Sequence, residues 1–332
     1  MYTYDHQSQG LSGRWLPDTQ STWVRSFDDY THDFIYFVTR VIVNDSKKLP
    51  IYLLAHSMGG FVCAVGMARN PSLINRAILL APMLRMKCGT RSMNMRFPIP
   101  QPIAHWIAYI FSKFFGLGPF NSIGFPNEVY TDKLALHTTT SDIQKLGEVE
   151  ALRQKYPYTI ATCVTNDWTL NSLTAQIDFS RLYPLVRTNC LIMNATKDFY
   201  VYNRAMESFA NHAENVQLVT LPDTFHELLF EREEKRNVIE NQILNYFHAK
   251  SDDIKKCTLH SDFIIYNKND KIQLTNSLQS FAEIVIRGSA LIIGSIGMIT
   301  GLSLLGGVNS LSIYNLYNTI LKYTNKMFQI QN

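Results

Sequence analysis

The chain has 332 residues, of which 46% are hydrophobic and 17% charged, and its formal net charge is +4. A chain of this length can bury a large core, and a single α/β domain with an insertion is the first expectation. The small net charge, with basic and acidic residues interspersed as in the string EREEKR at 231–236, argues against a phosphate-tracking surface, so no nucleic-acid partner is predicted.

The cysteines and histidines point to no bound group. Five scattered cysteines without a C-x-x-C pair predict reduced thiols and a cytoplasmic protein rather than a disulfide framework. The nine histidines show no zinc-ligand spacing. We therefore predict neither a metal nor another cofactor.

The chain opens on MYTYDHQSQGLSGR, which has neither the basic nor the apolar region of a secretory signal. Tyr2 and Tyr4 are predicted to finish a strand, and residues 5–13 to form the polar, glycine-containing loop after it. Because this places the first residue in the middle of a sheet, we expect earlier strands of the fold to be missing.

The string IYLLAHSMGG at 51–60 places Ser57 between a predicted buried strand and a predicted helix, which ends before Pro71. A serine in such a turn is typical of a nucleophile elbow, in which the residues two before and two after it must be small. Ala55 and Gly59 satisfy this requirement, although the usual pattern has glycine in place of Ala55. The alternative is a buried serine in a tight turn.

A segment between Leu84 and Arg187 interrupts the predicted sheet and is expected to form a helical cap, which includes the string NDWTLNSLTAQ around Trp168. The string RFPIPQPIAHWIAYIFSKFFGLGPF predicts a helix with one apolar face, formed by Ile103, Ile107, Ile110, Phe111 and Phe114. A lid over an acyl pocket and an ordinary core helix are both compatible with this face. For a lid, the candidate substrate-binding residues are Ile107, Phe111 and Phe114.

Two further predicted strands end in loops that carry an acid and a histidine. The strand at 190–194 precedes a polar turn with Asp198, and the strand in VQLVTLPDTFHELLF precedes a loop with His226. Such strand ends are where an α/β sheet gathers its ligands. A serine hydroxyl needs a base, and the base needs an orienting carboxylate. We therefore predict Ser57 as nucleophile, His226 as general base and then acid, and Asp198 as the residue that orients His226.

Other polar residues compete for these roles. Asp223 is predicted to serve a structural turn, and Glu227 to cap a helix or face solvent. His6 and His56 are predicted to be packing histidines. His248, at the end of the predicted helix KRNVIENQILNYFHAK, is expected at the surface.

The composition changes beyond His248. A polar linker, KSDDIKKCTLHSD, leads to residues 288–321, which contain no charged residue or histidine. The segment 288–308 is about as long as a membrane-spanning helix needs to be, and it contains Gly297-x-x-x-Gly301. We expect this apolar tail to contact or enter a membrane, and the alternative is a helical hairpin.

Several of these strings occur in one family in the same order. YDHQSQGLSGR resembles the D-H-R-G-Q-G-x-S-G-R loop of the monoacylglycerol lipase and lysophospholipase branch of the α/β-hydrolases, although Gln7 and Ser8 replace its Arg and Gly. FDDYTHDFIYFV is similar to its F-x-D-Y-V-x-D helix, and LLAHSMGG to its elbow. RAILLAPML and HELLFE resemble its next strand and its histidine motif, so that the resemblance covers about residues 1–248.

The resemblance implies an α/β-hydrolase fold, which is a mostly parallel sheet with a helical cap insertion, here without its first strands and followed by the apolar helical tail. The expected boundaries are 1–84 and 188–249 for the core, 85–187 for the cap, and 250–332 for linker and tail. The same catalytic residues are implied, namely Ser57, Asp198 and His226. The implied substrate is a carboxylic ester of a lysophospholipid or a monoacylglycerol.

The resemblance also implies an oxyanion hole with two backbone N–H donors. One is the N–H of Met58, the residue after the nucleophile. The family carries the other in an H-G loop, and no H-G dipeptide occurs in this sequence. Two hypotheses follow. The first is a cytoplasmic serine ester hydrolase associated with the inner face of a membrane through residues 288–308, and the second is a truncated, non-catalytic membrane-associated remnant.

Overall fold

A computed structural model describes residues 1–45, 49–89, 98–122, 139–159 and 161–249, together with the backbone of residues 264–265. The chain divides into two compact units, Met1–Lys268 and Asn269–Asn332, and the described residues all lie in the first. The predicted membrane segment, 288–308, lies outside the described residues.

A central sheet forms the middle of the first unit. Within the described residues its strands, in spatial order, are β2 (Tyr52–His56), β3 (Arg76–Leu80), β5 (Asn189–Ala195), β6 (Val216–Leu221) and β7 (Ile264–Ile265). The first four run parallel, and β7 is antiparallel to β6. β1 (Ser21–Thr22) and β4 (Cys163–Val164) form a separate parallel pair. The prediction of a mostly parallel sheet is confirmed.

The helices occupy the connections between the strands. In chain order they are α1 (Phe27–Tyr36), α2 (Val43–Asp45), α3 (Ser57–Arg69), α4 (Gln101–Tyr109), α5 (Ile143–Lys155), α6 (Asn166–Phe179), α7 (Asn203–His212) and α8 (Glu233–His248). A π-helical stretch at Phe37–Ile42 joins α1 to α2, and another at Ile110–Phe114 extends α4. Short 3₁₀ turns lie at Pro157–Thr159, Ser180–Leu185 and Leu228–Phe230.

Helices cover both faces of the sheet. Ala77 and Leu79 of β3 belong to the core cluster that includes residues of α1, α3 and α7, whereas Ile78 and Leu80 belong to the cluster of α8. Successive side chains of a strand point to opposite faces, so a strand covered on both sides must be apolar at nearly every position. The continuous apolar run in β3 follows from this arrangement.

Side chains at the helix ends explain several boundaries. Ser26 caps α1 by accepting a hydrogen bond from the N–H of Asp28, and Thr165 caps α6 in the same way through Trp168. At the C-terminal end of α8, the buried Arg76 donates from Nη1 to the carbonyl oxygens of Tyr246 and Phe247, at 3.0 and 3.1 Å. A guanidinium there satisfies carbonyls that have no partner within the helix.

The first residues depart from the prediction. Residues 1–6 form no strand, so the expected strand through Tyr2 and Tyr4 is wrong. The Tyr4 ring instead packs on Phe37, with ring centroids 4.8 Å apart. The predicted loop after it is present. The Asp5 carboxylate accepts the Leu11 N–H at 2.8 Å and fills the space where a side chain at Gly10, whose φ is +51°, would lie.

The chain between β3 and β5 carries α4, α5 and α6. Ala104 and Ala108, one turn apart on α4, pack against Leu170 and Leu173 of α6. The bulky face predicted for this helix points the other way, because Ile103, Ile107 and Phe114 are 43%, 38% and 44% exposed. The core-helix alternative is therefore wrong for this face. Small alanines make the contact because they let two helices approach closely.

One buried carboxylate ties this region to the chain beside β1. Asp167 of α6 accepts hydrogen bonds from Ser112 Oγ at 2.6 Å, Lys113 Nζ at 2.8 Å and Trp23 Nε1 at 2.9 Å. Its pKa is below the ordinary value, because these hydrogen bonds outweigh the opposing effect of burial. The carboxylate thus holds α6, the extension of α4 and Trp23 together.

Candidate active site

Ser57 lies at the junction of β2 and α3. It directly follows the last residue of β2 and begins α3, with a positive φ of +51°. A left-handed conformation is unfavourable for a residue with a Cβ, and it is the strained turn expected of a nucleophile elbow. The structure therefore supports the predicted elbow.

The tight packing at this turn falls one residue later than predicted. A Cβ added at Gly59 would meet no atom within 4 Å, whereas one at Gly60 would lie 2.9 Å from Cβ of Pro82. The requirement for a small residue at Gly59 is therefore wrong in this structure, and it applies to Gly60. The reason is that Pro82, just beyond β3, approaches the first turn of α3 at that position.

The parallel sheet brings the other two predicted residues to Ser57. The last residues of β2 and β3, His56 and Leu80, are aligned in register, and Leu80 is aligned with Met193 of β5, which pairs with β6. The loops after β5 and β6 carry Asp198 and His226. Because all these strands run parallel, their carboxyl ends meet at one edge of the sheet.

A continuous hydrogen-bonded chain connects the three side chains. His226 Nδ1 lies 2.7 Å from Asp198 Oδ2, and His226 Nε2 lies 2.9 Å from Ser57 Oγ. His226 and Asp198 are each 5% exposed. Asp198 cannot rotate freely, because its Oδ1 accepts the N–H groups of Tyr200 and Val201 at 2.7 and 3.0 Å. With Nδ1–H donated to Asp198, Nε2 is free to accept the proton of Ser57.

His56 contacts His226 directly, and Glu227 lies close to His56. His56 Nε2 lies 3.1 Å from the carbonyl oxygen of His226, and the two rings are 4.8 Å apart. His56 Nδ1 is 3.8 Å from a carboxylate oxygen of Glu227. Burial lowers the pKa of His56, although Glu227 opposes this shift. His56 is a packing histidine, as predicted, while Glu227 points toward it and the site rather than only to solvent.

Lys87 makes a contact to Asp198 that no sequence motif predicts. Its Nζ donates to the carbonyl oxygen of Asp198 at 2.5 Å, and its backbone N–H donates to the carbonyl of Tyr200 at 2.7 Å. Burial lowers the pKa of Lys87. No motif marks this lysine, since its position beside Asp198 arises only when the chain after β3 meets the loop after β5.

Met58 is the second residue of α3, so its backbone N–H belongs to the first helical turn. The first N–H groups of a helix have no intrahelical acceptor and favour an anion. The side chain of Gln9, in the N-terminal loop, donates from Nε2 to Met58 Sδ at 3.6 Å. This geometry suits the predicted oxyanion donor.

A cavity of about 510 Å³ lies beside His226. Its lining includes Gln9 and Tyr200, together with residues of α5 and of the loop after β6. Ile107, Phe111 and Phe114 are not among the lining residues, so the predicted substrate-binding face of α4 does not border this cavity.

Two of the competing residues, Asp223 and His248, have the structural and surface positions predicted for them. Asp223, with a positive φ of +56°, forms ion pairs with Lys197 and Lys235, which lower its pKa to about 2. This is the structural turn role predicted for it. His248 is exposed at the end of α8, also as predicted. Within the described part of the chain, no group of three or more His, Cys, Asp or Glu side chains is arranged to hold a metal ion.

A parallel sheet with helices on both faces, and a serine, a histidine and an aspartate joined at the carboxyl ends of its strands, define a serine hydrolase of the α/β-hydrolase class. The profile of the family Hydrolase_4, described as serine aminopeptidase, S33, matches residues 1–233. The chain belongs to this family.

Two curated relatives are named as lysophospholipases. Lysophospholipase L2 of Escherichia coli (strain K12) is 26% identical over 256 residues, which cover 74% of this chain and 71% of the relative. Probable lysophospholipase L2 of Haemophilus influenzae is 24% identical over 249 residues, which cover 74% and 73% of the two chains.

Solved structures show the same fold. A soluble variant of monoglyceride lipase from Saccharomyces cerevisiae, in complex with a substrate analog, superimposes with a TM-score of 0.57 at 16% identity and covers 77% of each chain. A carboxyl esterase from Bacillus coagulans, in complex with glycerol, gives a TM-score of 0.54 at 14% identity and covers 73% of this chain and 78% of the esterase. The predicted α/β-hydrolase fold is confirmed.

Proposed function

We propose that the protein hydrolyses a carboxylic ester of a lysophospholipid or a monoacylglycerol through an acyl-serine intermediate. The observation that carries this proposal is the pair of hydrogen bonds made by His226, to Asp198 at 2.7 Å and to Ser57 at 2.9 Å. The names of the curated relatives and of the yeast neighbour support a lipid ester as the substrate.

In the first half-reaction Ser57 Oγ attacks the ester carbonyl, and His226 Nε2 takes the serine proton and passes it to the leaving alcohol. Asp198 stabilises the imidazolium that forms and keeps Nδ1 protonated. In the second half-reaction water, deprotonated by His226, attacks the acyl carbon. The bond from that carbon to Ser57 Oγ then breaks, the fatty acid is released, and His226 returns the proton to Ser57 Oγ. The same three residues therefore serve both steps.

Negative charge develops on the carbonyl oxygen in each half-reaction, and the backbone N–H of Met58 is the proposed donor to it. Removing one oxyanion donor typically costs about a hundredfold to a thousandfold in rate. A site that excludes water strengthens such a donor further. Met58 contributes through its backbone, so side-chain substitutions there are expected to affect rate mainly through packing.

We also propose that residues 288–308 hold the enzyme at a membrane, where lipid esters reside. Among the residues that the structure describes, none of the helices combines the length and the apolarity that crossing a bilayer needs. The composition of the tail supports membrane contact, because it contains no charged residue from 288 to 321.

The catalytic proposal is tested with a fluorophosphonate probe, which reacts covalently with an activated serine. The purified chain should be labelled, and Ser57→Ala should abolish the label. Asp198→Asn should lower kcat on a lipid ester by about 10⁴-fold, because His226 then loses the partner that sets its tautomer. Ser72→Ala, at an exposed turn, is the matched control and should retain full labelling. A folded wild-type chain that takes no label would favour the non-catalytic remnant.

A further inference from the structure

Two cations line the cavity beside His226. Lys145, Val149 and Arg153 of α5 all border it, and they are spaced four residues apart. Residues at this spacing lie along one face of a helix. α5 therefore presents an ammonium and a guanidinium, separated by one apolar side chain, along the same wall.

The other polar groups of the cavity are mostly neutral. Among the described residues of its lining, Glu227 supplies a carboxylate, and hydroxyl groups come from Tyr200 and from Thr22, Thr139, Thr140, Thr159 and Thr162. Glu227 also lies 3.8 Å from His56. The described lining thus carries two cations against one anion, in a cavity whose volume is within the range of ordinary ligand sites.

Both cations have donors suited to a phosphate group. Lys145 donates to Glu148 at 2.6 Å, in a pair whose side chains are 34% and 48% exposed. A solvent-accessible pair of this kind contributes little stability, and an ammonium has two further N–H donors. The half-buried Arg153 carries a planar guanidinium, whose fork matches two oxygens of one phosphate.

We infer that Arg153 and Lys145 form a subsite for the phosphate of a lysophospholipid, bound while its ester carbonyl lies at Ser57. This inference rests on the proposed function and selects one of its two substrate classes. A monoacylglycerol has the same ester but no anion, so it gains nothing from two cations. The subsite would therefore favour phosphate-containing substrates over neutral ones.

The test compares two substrates with the same acyl chain, 1-oleoyl lysophosphatidylglycerol and 1-oleoylglycerol, in micelles of one neutral detergent. Arg153→Gln should lower kcat/KM for the lysophosphatidylglycerol by roughly ten- to a hundredfold, since a charge-assisted contact is lost. The same variant should change kcat/KM for 1-oleoylglycerol by less than about twofold. Lys145→Gln should show the same selective loss. Lys155→Gln, an exposed lysine at the end of α5, is the control and should change neither value.

Equal losses on both substrates, or no loss on the lysophosphatidylglycerol, overturn the inference. Binding of sn-glycerol 3-phosphate, followed by calorimetry, gives a readout that needs no catalysis and should weaken in Arg153→Gln. A site for free phosphate would bind inorganic phosphate as tightly and leave the lysolipid kinetics unchanged, which also overturns it. If the folded wild type binds glycerol 3-phosphate but takes no fluorophosphonate label, the catalytic proposal fails while the phosphate site stands.

Discussion

At the scale of single residues, His6 lies where a positive charge is unfavourable. Its ring packs between Tyr4 and Tyr30, at centroid distances of 4.9 and 5.2 Å, and its Nδ1 is buried without a hydrogen-bond partner in the described structure. Burial lowers the pKa of His6 from 6.5 to about 4, although Asp33 and Asp5 oppose the shift. The folded state therefore holds this histidine neutral.

This shift predicts an acid-sensitive fold. An unfolded chain protonates His6 near pH 6.5 and the folded chain only near 4, so the unfolded state binds more protons between these values and stability falls as pH decreases. From pH 7.5 to pH 5 the free energy of unfolding should drop by about 2 kcal/mol through His6 alone. Urea denaturation of wild type and His6→Phe at both pH values measures the difference, which Phe should remove while keeping the ring packing.

Ser72→Ala provides the control for this comparison, because it changes an exposed residue that has no titratable group and should keep the wild-type pH dependence. Some dependence should persist in His6→Phe, since burial also lowers the pKa of His56. A His6→Phe variant that loses stability in acid as steeply as wild type would show that His6 does not contribute.

The candidate catalytic residues are the part of the site that sequence predicts best. Ser57, Asp198 and His226 each follow an apolar strand, and strand ends in a parallel sheet converge for geometric reasons. No sequence pattern predicts the contact of Lys87 with Asp198, and the prediction for Glu227 is a helix cap or a solvent-facing position. Their contacts, with Asp198 and His56, depend on how two loops approach each other. The local sequence around a residue contains little information about such contacts.

At the scale of elements, the crossing of α1 and α3 depends on a glycine. A Cβ added at Gly66 would lie 2.6 Å from Cδ1 of Phe34, a ring that is buried in the core with 3% exposure. Gly66→Ala should lower the free energy of unfolding by about 1–3 kcal/mol, because overpacking outweighs the better helix propensity of alanine. Chemical denaturation measures this change.

Gly147 of α5 offers the matched substitution. A Cβ there would meet no atom within 4 Å, and the residue is exposed. Gly147→Ala should therefore raise the free energy of unfolding by about 0.5–1 kcal/mol through helix propensity alone. If Gly66→Ala raises the free energy of unfolding as Gly147→Ala does, the close contact between α1 and α3 does not exclude a side chain at residue 66.

For α4, the sequence pattern predicts that one face is apolar, but it does not predict which face of the helix is buried. Its sequence predicts a helix with a bulky apolar face, and a helix forms, but its buried residues are Gln101, Ala104 and Ala108. A periodic pattern identifies a face and cannot state which partner that face meets. The small residues on the opposite side determined the contact with α6, because they permit the closer approach.

For the molecule as a whole, the apolar tail predicts binding to membranes. Full-length protein should float with vesicles of phosphatidylethanolamine and phosphatidylglycerol, because residues 288–308 are apolar and long enough to enter a bilayer. Replacing them with a glycine-serine segment of equal length should abolish flotation. Fluorophosphonate labelling should be unchanged, since the candidate catalytic residues all lie within Met1–Lys268. Equal flotation of both proteins would assign membrane contact to another part of the chain.

Local sequence patterns are enough to predict the fold class, the elbow and the identity of the three candidate catalytic residues, because apolar strands, turn residues and their order can be recognised within short segments. Three features follow only from the folded molecule: the close contact at Gly60, the outward position of the bulky face of α4, and the cavity that Lys145 and Arg153 share with His226. These features depend on distances between segments far apart in the chain. Such distances are set by the packing of the folded molecule and have no signature in any one segment.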